Sequence, residues 1–168
     1  MICCVTGHRP SGFTFPRDED NPLFINYLKK LAKEVESLIK AGYDTFITGM
    51  AEGADIDFAK TVIMLRNKYK YIKLEAALPY PKPYPKNLKR HQEEYYDILS
   101  KCSKCHIVSD HFFRGCMHKR NKFMVDCSDL VLAIWNGNDK GGTWSTIQYA
   151  RQREKSIRYI MLAEMSDI

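Results

Sequence analysis

Two glycine-rich turns are the most informative chemical feature of this sequence. The first, residues 48–55, reads Thr-Gly-Met-Ala-Glu-Gly-Ala-Asp and follows the apolar pair Phe46-Ile47. The second, residues 140–143, reads Lys-Gly-Gly-Thr and comes shortly after the apolar run 130–135. Glycines let a backbone approach a ligand closely, and the free N–H groups that open a helix attract an anion. Two such turns in one chain predict a pocket for a phosphate-bearing ligand.

Basic side chains are available to complete such a pocket. Arg120 lies in a Met-His-Lys-Arg-Asn segment between the two turns, and its planar guanidinium suits bidentate recognition of phosphate or carboxylate. The alternative role for Arg120 is a salt bridge to Asp126 or Asp129. His8 and Arg9 follow the first apolar run of the chain, and we expect them to flank the same ligand.

Glu52 and Asp55 are the acidic residues of the first turn. Asp55 would repel a phosphate bound at the same helix terminus. We therefore expect its carboxylate to accept hydrogen bonds either from ribose hydroxyls or, as a helix cap, from backbone N–H groups. If the protein is an enzyme, its catalytic residues are unknown, and the weak candidates are Arg120, Glu52 and Asp55.

Three aromatic side chains lie near the predicted pocket. Tyr80 and Tyr84 belong to a proline-rich loop, and Trp144 directly follows the second glycine turn. Stacking on a nucleic-acid base would contribute about 1–3 kcal/mol for each ring that made it. Packing in the core or a contact between two copies of the chain is the alternative for Trp144.

The cysteines predict no metal site and no cofactor. Cys102, Cys105 and Cys116, with His111 or His118, could in principle bind zinc, but their spacing fits no standard structural site. The run Cys-Ser-Lys-Cys-His also matches the haem-attachment pattern. Attachment of that kind requires export, for which the sequence shows no signal. We therefore expect the six cysteines to be reduced thiols that pack as small apolar residues.

Length and composition predict one cytoplasmic domain over residues 1–168. Hydrophobic residues make up 45% of the chain, enough for a substantial core, and the net charge of +6 fits an anionic ligand without requiring nucleic acid. No apolar run reaches the roughly 18–20 residues that span a bilayer, so no membrane partner is expected. The start of the chain also lacks the basic segment and long apolar stretch of a signal peptide.

Apolar runs alternate with segments of helical periodicity along the whole chain. This alternation predicts an α/β fold, a Rossmann-like three-layer sandwich whose mostly parallel sheet of about six strands has helices on both faces. Ligands of such sheets bind beyond the carboxyl ends of the strands, where the strand order reverses. The predicted strands are 2–6, 43–48, 71–78, 105–109, 130–135 and 157–162. Helices are predicted from Asn21-Pro22 to Gly42, after Gly53, and over 87–101, 115–127 and 143–153.

The chain resembles the YpsA-like branch of the SLOG superfamily over nearly its whole length. Rossmann-like domains of this superfamily include the Lonely Guy phosphoribohydrolases and the DNA-processing protein DprA. The resemblance is more specific for the fold than for an activity, and it implies a homodimer. It is carried by Val-Thr-Gly-His-Arg-Pro at 5–10, the turn at 48–55, Arg120-Asn121, Met-Val-Asp at 124–126, Ser128-Asp129 and Gly-Gly-Thr at 141–143.

A departure from the Lonely Guy pattern bears on catalysis. In that pattern a Met-His-x-Arg-Lys segment is followed by Gly-Gly-x-Gly-Thr-x-x-Glu, whereas this chain has Asn121 in place of the lysine. Aligning Gly142-Thr143 with the Gly-Thr pair puts Thr146 where the catalytic glutamate would stand. Cleavage of a base–ribose bond needs a carboxylate near the developing positive charge, and threonine does not supply one. The resemblance therefore implies binding more strongly than hydrolysis.

Our first hypothesis is a binding domain for a nucleotide or nucleotide-derived metabolite that acts as a sensor. The second is an enzyme, a nucleoside-monophosphate N-glycosidase that recruits another carboxylate. The third, by analogy to DprA, is binding of single-stranded nucleic acid through the basic residues Lys82, Lys86, Lys89 and Arg90, interleaved with Tyr80 and Tyr84. The predicted ligand-binding residues are Gly7, His8, Arg9, Gly49, Met50, Gly53, Asp55, Arg120, Asn121, Gly141, Gly142, Thr143 and Thr146.

Overall fold

The structure, a computed structural model, describes residues 1–81 and 89–167. The described residues form six β-strands and five α-helices that alternate along the chain. The strands are β1 (Ile2–Gly7), β2 (Thr45–Thr48), β3 (Lys73–Leu78), β4 (Lys104–Ile107), β5 (Leu130–Trp135) and β6 (Ser156–Met161). The helices are α1 (Pro22–Lys40), α2 (Ala54–Leu65), α3 (Lys89–Ser100), α4 (Cys116–Asp126) and α5 (Gly141–Gln152).

All six strands join one sheet in the order β4-β3-β2-β1-β5-β6, and every neighbouring pair is parallel. The chain moves outward from β1 to β4 and then returns to the other side of β1 with β5. The strand order therefore reverses between β1 and β5, so a ligand is expected beyond the carboxyl ends of these two strands. This parallel sheet with its alternating helices confirms the predicted Rossmann-like α/β fold.

The two faces of the sheet are buried by different helices. Cys3 and Val5 of β1 point into the larger apolar cluster, which α1, α2 and α3 cover. Cys4 lies between them and points into the smaller cluster under α4 and α5. This alternation is the two-residue period of a strand buried on both sides, and it gives the three layers predicted from the sequence.

The first helix begins as its sequence predicts. The Asn21 side chain accepts hydrogen bonds from the N–H groups of Leu23 and Phe24 at 3.0 and 3.3 Å, and Pro22 occupies the first helical position. Helix α5 begins two residues earlier than predicted, at Gly141 instead of Thr143. This difference places both glycines of the second turn inside the first turn of the helix. In the described part of the chain, no helix combines the length and apolarity needed to cross a membrane.

Candidate functional site

Two adjoining pockets lie along the carboxyl edge of the sheet. One is lined by Gly7 of β1 and by residues that follow β5, where the strand order reverses, and the other by residues that follow β2 and β3. The first, the polar pocket, has a volume of about 280 Å³, and the second, the apolar pocket, has about 160 Å³. Arg9, Ala51, Met117 and Arg120 line both pockets and so join them into one cleft. The predicted binding residues in the wall of the polar pocket are Gly7, His8, Arg9, Asp55, Arg120, Asn121, Gly142 and Thr143.

The second glycine turn presents an uncapped helix terminus to the polar pocket. Lys140 is the N-cap residue of α5, and its side chain makes no capping hydrogen bond. Thr143 is the third residue of the helix, so it does not act as the N-cap, and its hydroxyl has no hydrogen-bond partner within the described residues. A Cβ added at Gly142 would meet no atom within 4 Å. The first N–H groups of α5 are therefore accessible to an anion.

The first glycine turn is arranged differently. The N–H of Ala54, at the start of α2, donates to the carbonyl oxygen of His8 at 3.1 Å. A Cβ at Gly53 would lie 2.5 Å from that same oxygen, and a Cβ at Gly7 would overlap the side chain of Ala54. These glycines allow the loop after β1 to pack against the start of α2. Gly53 therefore supports the wall of the cleft and does not line either pocket.

Gly49 makes room for two charged side chains. A Cβ at this position would overlap the guanidinium of Arg120 and come within 2.6 Å of the Asp55 carboxylate. The same turn is held by hydrogen bonds from the Met50 N–H to the Thr48 hydroxyl and from the Ala51 N–H to Asp55. Met50 adopts a left-handed backbone conformation with φ of +58°, which is uncommon for a residue other than glycine. The turn is thus a constrained structure around Arg120 and Asp55.

Arg120 lines the cleft, but most of its hydrogen-bonding capacity is used within the protein. The residue is 5% exposed, and its Nη1 donates to the carbonyl oxygens of Gly49 and Ala77. Its Nε donates to Oδ1 of Asn121 at 2.8 Å, which leaves only Nη2 without a partner within the described residues. Burial lowers the pKa of Arg120, and the negative charge of Asp55 opposes this shift. The N–H groups of Arg120 that were predicted to bind phosphate therefore mostly donate to acceptors within the protein.

The alternative salt bridges of Arg120 are absent from the described structure. Asp126 instead pairs with Arg153 at 3.0 Å and accepts hydrogen bonds from the Tyr149 hydroxyl. Asp129 accepts a hydrogen bond from the N–H of Ile2 at 2.7 Å. The charged neighbour of Arg120 is Asp55, whose pKa is raised by burial and lowered in part by the positive charge of Arg120.

Arg9 supplies the accessible positive charge of the cleft. Its side chain is exposed, lines both pockets and makes no hydrogen bond or ion pair with any described residue. His8 beside it has a buried Nε2 atom without a hydrogen-bond partner, and burial lowers the pKa of its imidazole. A buried polar atom without a partner is rare in folded proteins, and this one belongs to a residue of the polar pocket wall.

Aromatic and sulfur-containing side chains surround the apolar pocket. Tyr80 lines it and makes an edge contact with Phe112, with 5.5 Å between the ring centroids. Met117 lines both pockets because α4 begins one residue before it, a role that its place in the Met-His-Lys-Arg-Asn segment does not predict. Glu52 also lines the apolar pocket. The predicted stacking residue Tyr84 lies outside the described residues.

Trp144 and Thr146, both on α5, are engaged in packing away from the pockets. Trp144 stacks on Trp135 with a centroid distance of 5.3 Å and an interplanar angle of 13°. The Thr146 hydroxyl donates to the carbonyl oxygen of Gly142 at 2.8 Å and accepts from Nδ2 of Asn121 at 3.1 Å. The position that corresponds to the Lonely Guy glutamate therefore holds a buried hydroxyl with two internal hydrogen bonds.

The remaining sequence hypotheses concern metal and nucleic acid. All six cysteines are free thiols, and residues 1–81 and 89–167 contain no cluster of histidine, cysteine or acidic residues that could hold a metal ion. Lys82 and Lys86 of the hypothetical nucleic-acid surface lie outside the described residues. Lys89 and Arg90 begin α3, but the structure does not describe their side chains.

Comparison with known proteins places the chain in a family. The sequence profile of the YpsA family, described as the YspA SLOG family, matches residues 3–167. The chain belongs to the YpsA family. The prophage-derived protein YoqJ of Bacillus subtilis is 29% identical to it over 145 residues, which cover 79% of this chain and 84% of YoqJ.

Other relatives are UPF0398 proteins. One from Bacillus pumilus is 24% identical over 169 residues, covering 98% of this chain and 89% of its own. Another from Halalkalibacterium halodurans is 22% identical over 138 residues, covering 80% and 73% respectively. YoqJ is described as uncharacterized, and the names of the others state no activity. Membership of the YpsA family thus suggests a nucleotide-related binding or phosphoribohydrolase-like role without identifying a ligand.

Proposed function

We propose that this YpsA-family protein binds a nucleotide or a nucleotide-derived metabolite and acts as a sensor of it. The observation that carries the proposal is the uncapped N-terminus of α5, which opens onto the polar pocket through Gly142 and Thr143. The unpaired side chain of Arg9 stands in the wall of the same pocket.

The phosphate of the ligand is assigned to the polar pocket. The first N–H groups of a helix point outward and carry a partial positive charge, so they favour an anion at this position. Arg9 adds a full positive charge, and the Thr143 hydroxyl is available to donate a hydrogen bond. His8 lies in the wall of the same pocket beside Arg9.

The base of the ligand is assigned to the apolar pocket. Its wall includes Leu78, Tyr80 and Met117, which suit the flat face of a base, and it adjoins the polar pocket directly. Asp55 lies in the wall of the polar pocket, so we assign the ribose hydroxyls to its neighbourhood. A small ligand with an anionic end and an aromatic end therefore matches the cleft.

An enzyme is the second candidate because Asp55 lies in the polar pocket and its burial raises the pKa of its carboxyl group. A carboxyl group of this kind is suited to proton transfer. Incubating the protein with nucleoside monophosphates and separating the products by chromatography tests the reaction. Base release by the wild type that Asp55→Asn abolishes would support an N-glycosidase. No base release from any substrate would exclude this candidate.

Replacing Gly142 with aspartate is expected to abolish nucleotide binding without destabilising the fold. The position has space for a side chain, and a negative charge in the first turn of a helix stabilises it by about 0.3–1 kcal/mol. The same charge repels a phosphate at α5. Thermal unfolding with and without a panel of nucleotides measures both effects.

Gly142→Asn is the matched control, since it adds nearly the same volume without the charge. We expect this variant to keep most of the ligand-induced rise in melting temperature. Arg9→Gln should lose most of that rise while its melting temperature without ligand stays unchanged. A wild-type protein that no nucleotide stabilises, or a Gly142→Asp variant that still responds, would contradict the proposal.

A further inference from the structure

A chain of hydrogen bonds connects the two glycine turns across α4. Arg120 donates from Nη1 to the carbonyl oxygen of Gly49 in the first turn and from Nε to Oδ1 of Asn121. Asn121 then donates from Nδ2 to the hydroxyl of Thr146 at 3.1 Å. Thr146 donates to the carbonyl oxygen of Gly142 in the second turn at 2.8 Å. The path thus runs from Gly49 through the side chains of Arg120, Asn121 and Thr146 to Gly142.

We propose that Arg120, Asn121 and Thr146 form a relay that fixes the second turn for anion binding and couples its position to the first turn. Thr146 is the positioning residue, because its hydroxyl binds the carbonyl of Gly142, and Gly142 lines the polar pocket. The assignment of the anion rests on the proposed function. The coupling of the two turns rests only on the hydrogen bonds within the protein.

Burial makes the hydrogen bonds of the relay costly to break, and the Asn121 amide fixes which group donates and which accepts. Arg120 and Thr146 are both 5% exposed, so water does not readily replace a lost partner of either side chain. The Asn121 amide has only one orientation in which Oδ1 accepts from Arg120 while Nδ2 donates to Thr146. A shift of Gly142 on ligand binding therefore changes the geometry at Asn121 and Arg120, and with it the carbonyl of Gly49.

Replacing Thr146 with valine is the test of this relay, since valine keeps the shape and removes the hydroxyl. In two-dimensional amide spectra of the ligand-free protein, we expect the signals of Gly49 and Ala51 to move together with that of Gly142. Nucleotide affinity should fall about fivefold, because the variant loses both hydrogen bonds of the Thr146 hydroxyl, the one donated to Gly142 and the one accepted from Asn121. Thr146→Ser, which retains the hydroxyl, should restore both the spectrum and the affinity.

Thr61→Val is the matched control. The Thr61 hydroxyl is also buried and donates to a carbonyl oxygen four residues earlier in its helix, that of Asp57, at 2.8 Å. We expect a similar loss of stability from this variant but no movement of the Gly142 signal and no change in nucleotide affinity. Should Thr146→Val fail to fold, the half-buried Asn121→Ala breaks the same path and should move the same signals.

The two proposals fail in different ways. If the wild type binds no nucleotide, the proposed function is wrong, and the amide signals of the ligand-free variants still judge the relay. If Thr146→Val leaves Gly49 and Ala51 at their wild-type positions, as Thr61→Val should, the relay is wrong whatever the protein binds.

Discussion

Replacing Arg120 with methionine is expected to destabilise the protein by about 3–5 kcal/mol, because it removes a buried cation together with the hydrogen bonds that the cation donates. The substitution leaves the carbonyl oxygens of Gly49 and Ala77 without their side-chain donor. It also removes the positive charge that offsets the burial of Asp55. Urea denaturation at neutral pH measures the change in the free energy of unfolding.

The loss caused by Arg120→Met should depend on pH. Without Arg120 the folded-state pKa of Asp55 rises further, while in the unfolded chain it stays near its ordinary value of about 4. An acid whose pKa is raised by folding reduces stability as the pH increases from its unfolded to its folded pKa. The variant should therefore lose more stability at pH 8 than at pH 4. Adding Asp55→Asn should recover part of the loss at pH 8 because the uncompensated charge is gone.

Arg17→Met is the control for this variant. Arg17 donates two hydrogen bonds to the buried Asp57, at 2.5 and 2.9 Å, so its removal also leaves a buried carboxylate without its cation. It lines neither pocket of the cleft. We expect a comparable loss of stability with nucleotide binding retained. A loss for Arg120→Met that is small and identical at every pH would show that Arg120 and Asp55 do not act as a pair.

Replacing Gly53 with alanine is the second substitution expected to have a large effect. Gly53 has φ of +95°, where an L-residue costs about 1–3 kcal/mol of backbone strain. The added Cβ would also lie 2.5 Å from the carbonyl oxygen of His8, and forcing apart packed atoms costs a further 1–3 kcal/mol or so. Thermal or urea unfolding measures the sum.

Gly137→Ala separates the two contributions of Gly53. Gly137 has nearly the same φ, +89°, but a Cβ there would meet no atom within 4 Å. Only the backbone strain should therefore appear in this variant. Equal destabilisation by Gly53→Ala and Gly137→Ala would contradict the close packing of the loop after β1 on α2. Gly53→Ala should in addition move His8 and Arg9 and so weaken nucleotide binding.

The fold could be predicted from the sequence because its determinants are local. Buried runs such as 130–135 mark strands, Asn21-Pro22 marks the start of α1, and the alternation of strands and helices implies a parallel sheet. The strand order was not predicted, because it depends on contacts between distant segments. The converging loops could still be located, since the carboxyl ends of parallel strands share one edge of the sheet.

The roles of individual residues in the cleft were harder to predict. Arg9 and Arg120 have the same side chain, but α4 buries Arg120 against backbone carbonyls while the loop after β1 leaves Arg9 exposed. Similarly, Gly53 and Gly142 both fit an anion-binding turn, although the space beside Gly53 is filled by His8. Sequence patterns show which residues could approach a ligand, whereas the packing decides which of them are free to do so. The homodimer, which the family resemblance implies, and the cytoplasmic location, which the sequence favours, remain predictions.

The most direct test of the central claim is titration of ¹⁵N-labelled protein with nucleoside monophosphates and with inorganic phosphate, observed in two-dimensional amide spectra. We predict that the signals of Gly142, Thr143 and Arg9 shift with both ligands. Signals of residues that line only the apolar pocket, such as Leu78 and Tyr80, should shift only with the nucleotides. Saturating nucleotide that leaves the signals of Gly142 and Thr143 unmoved would contradict the assignment of the phosphate to the N-terminus of α5.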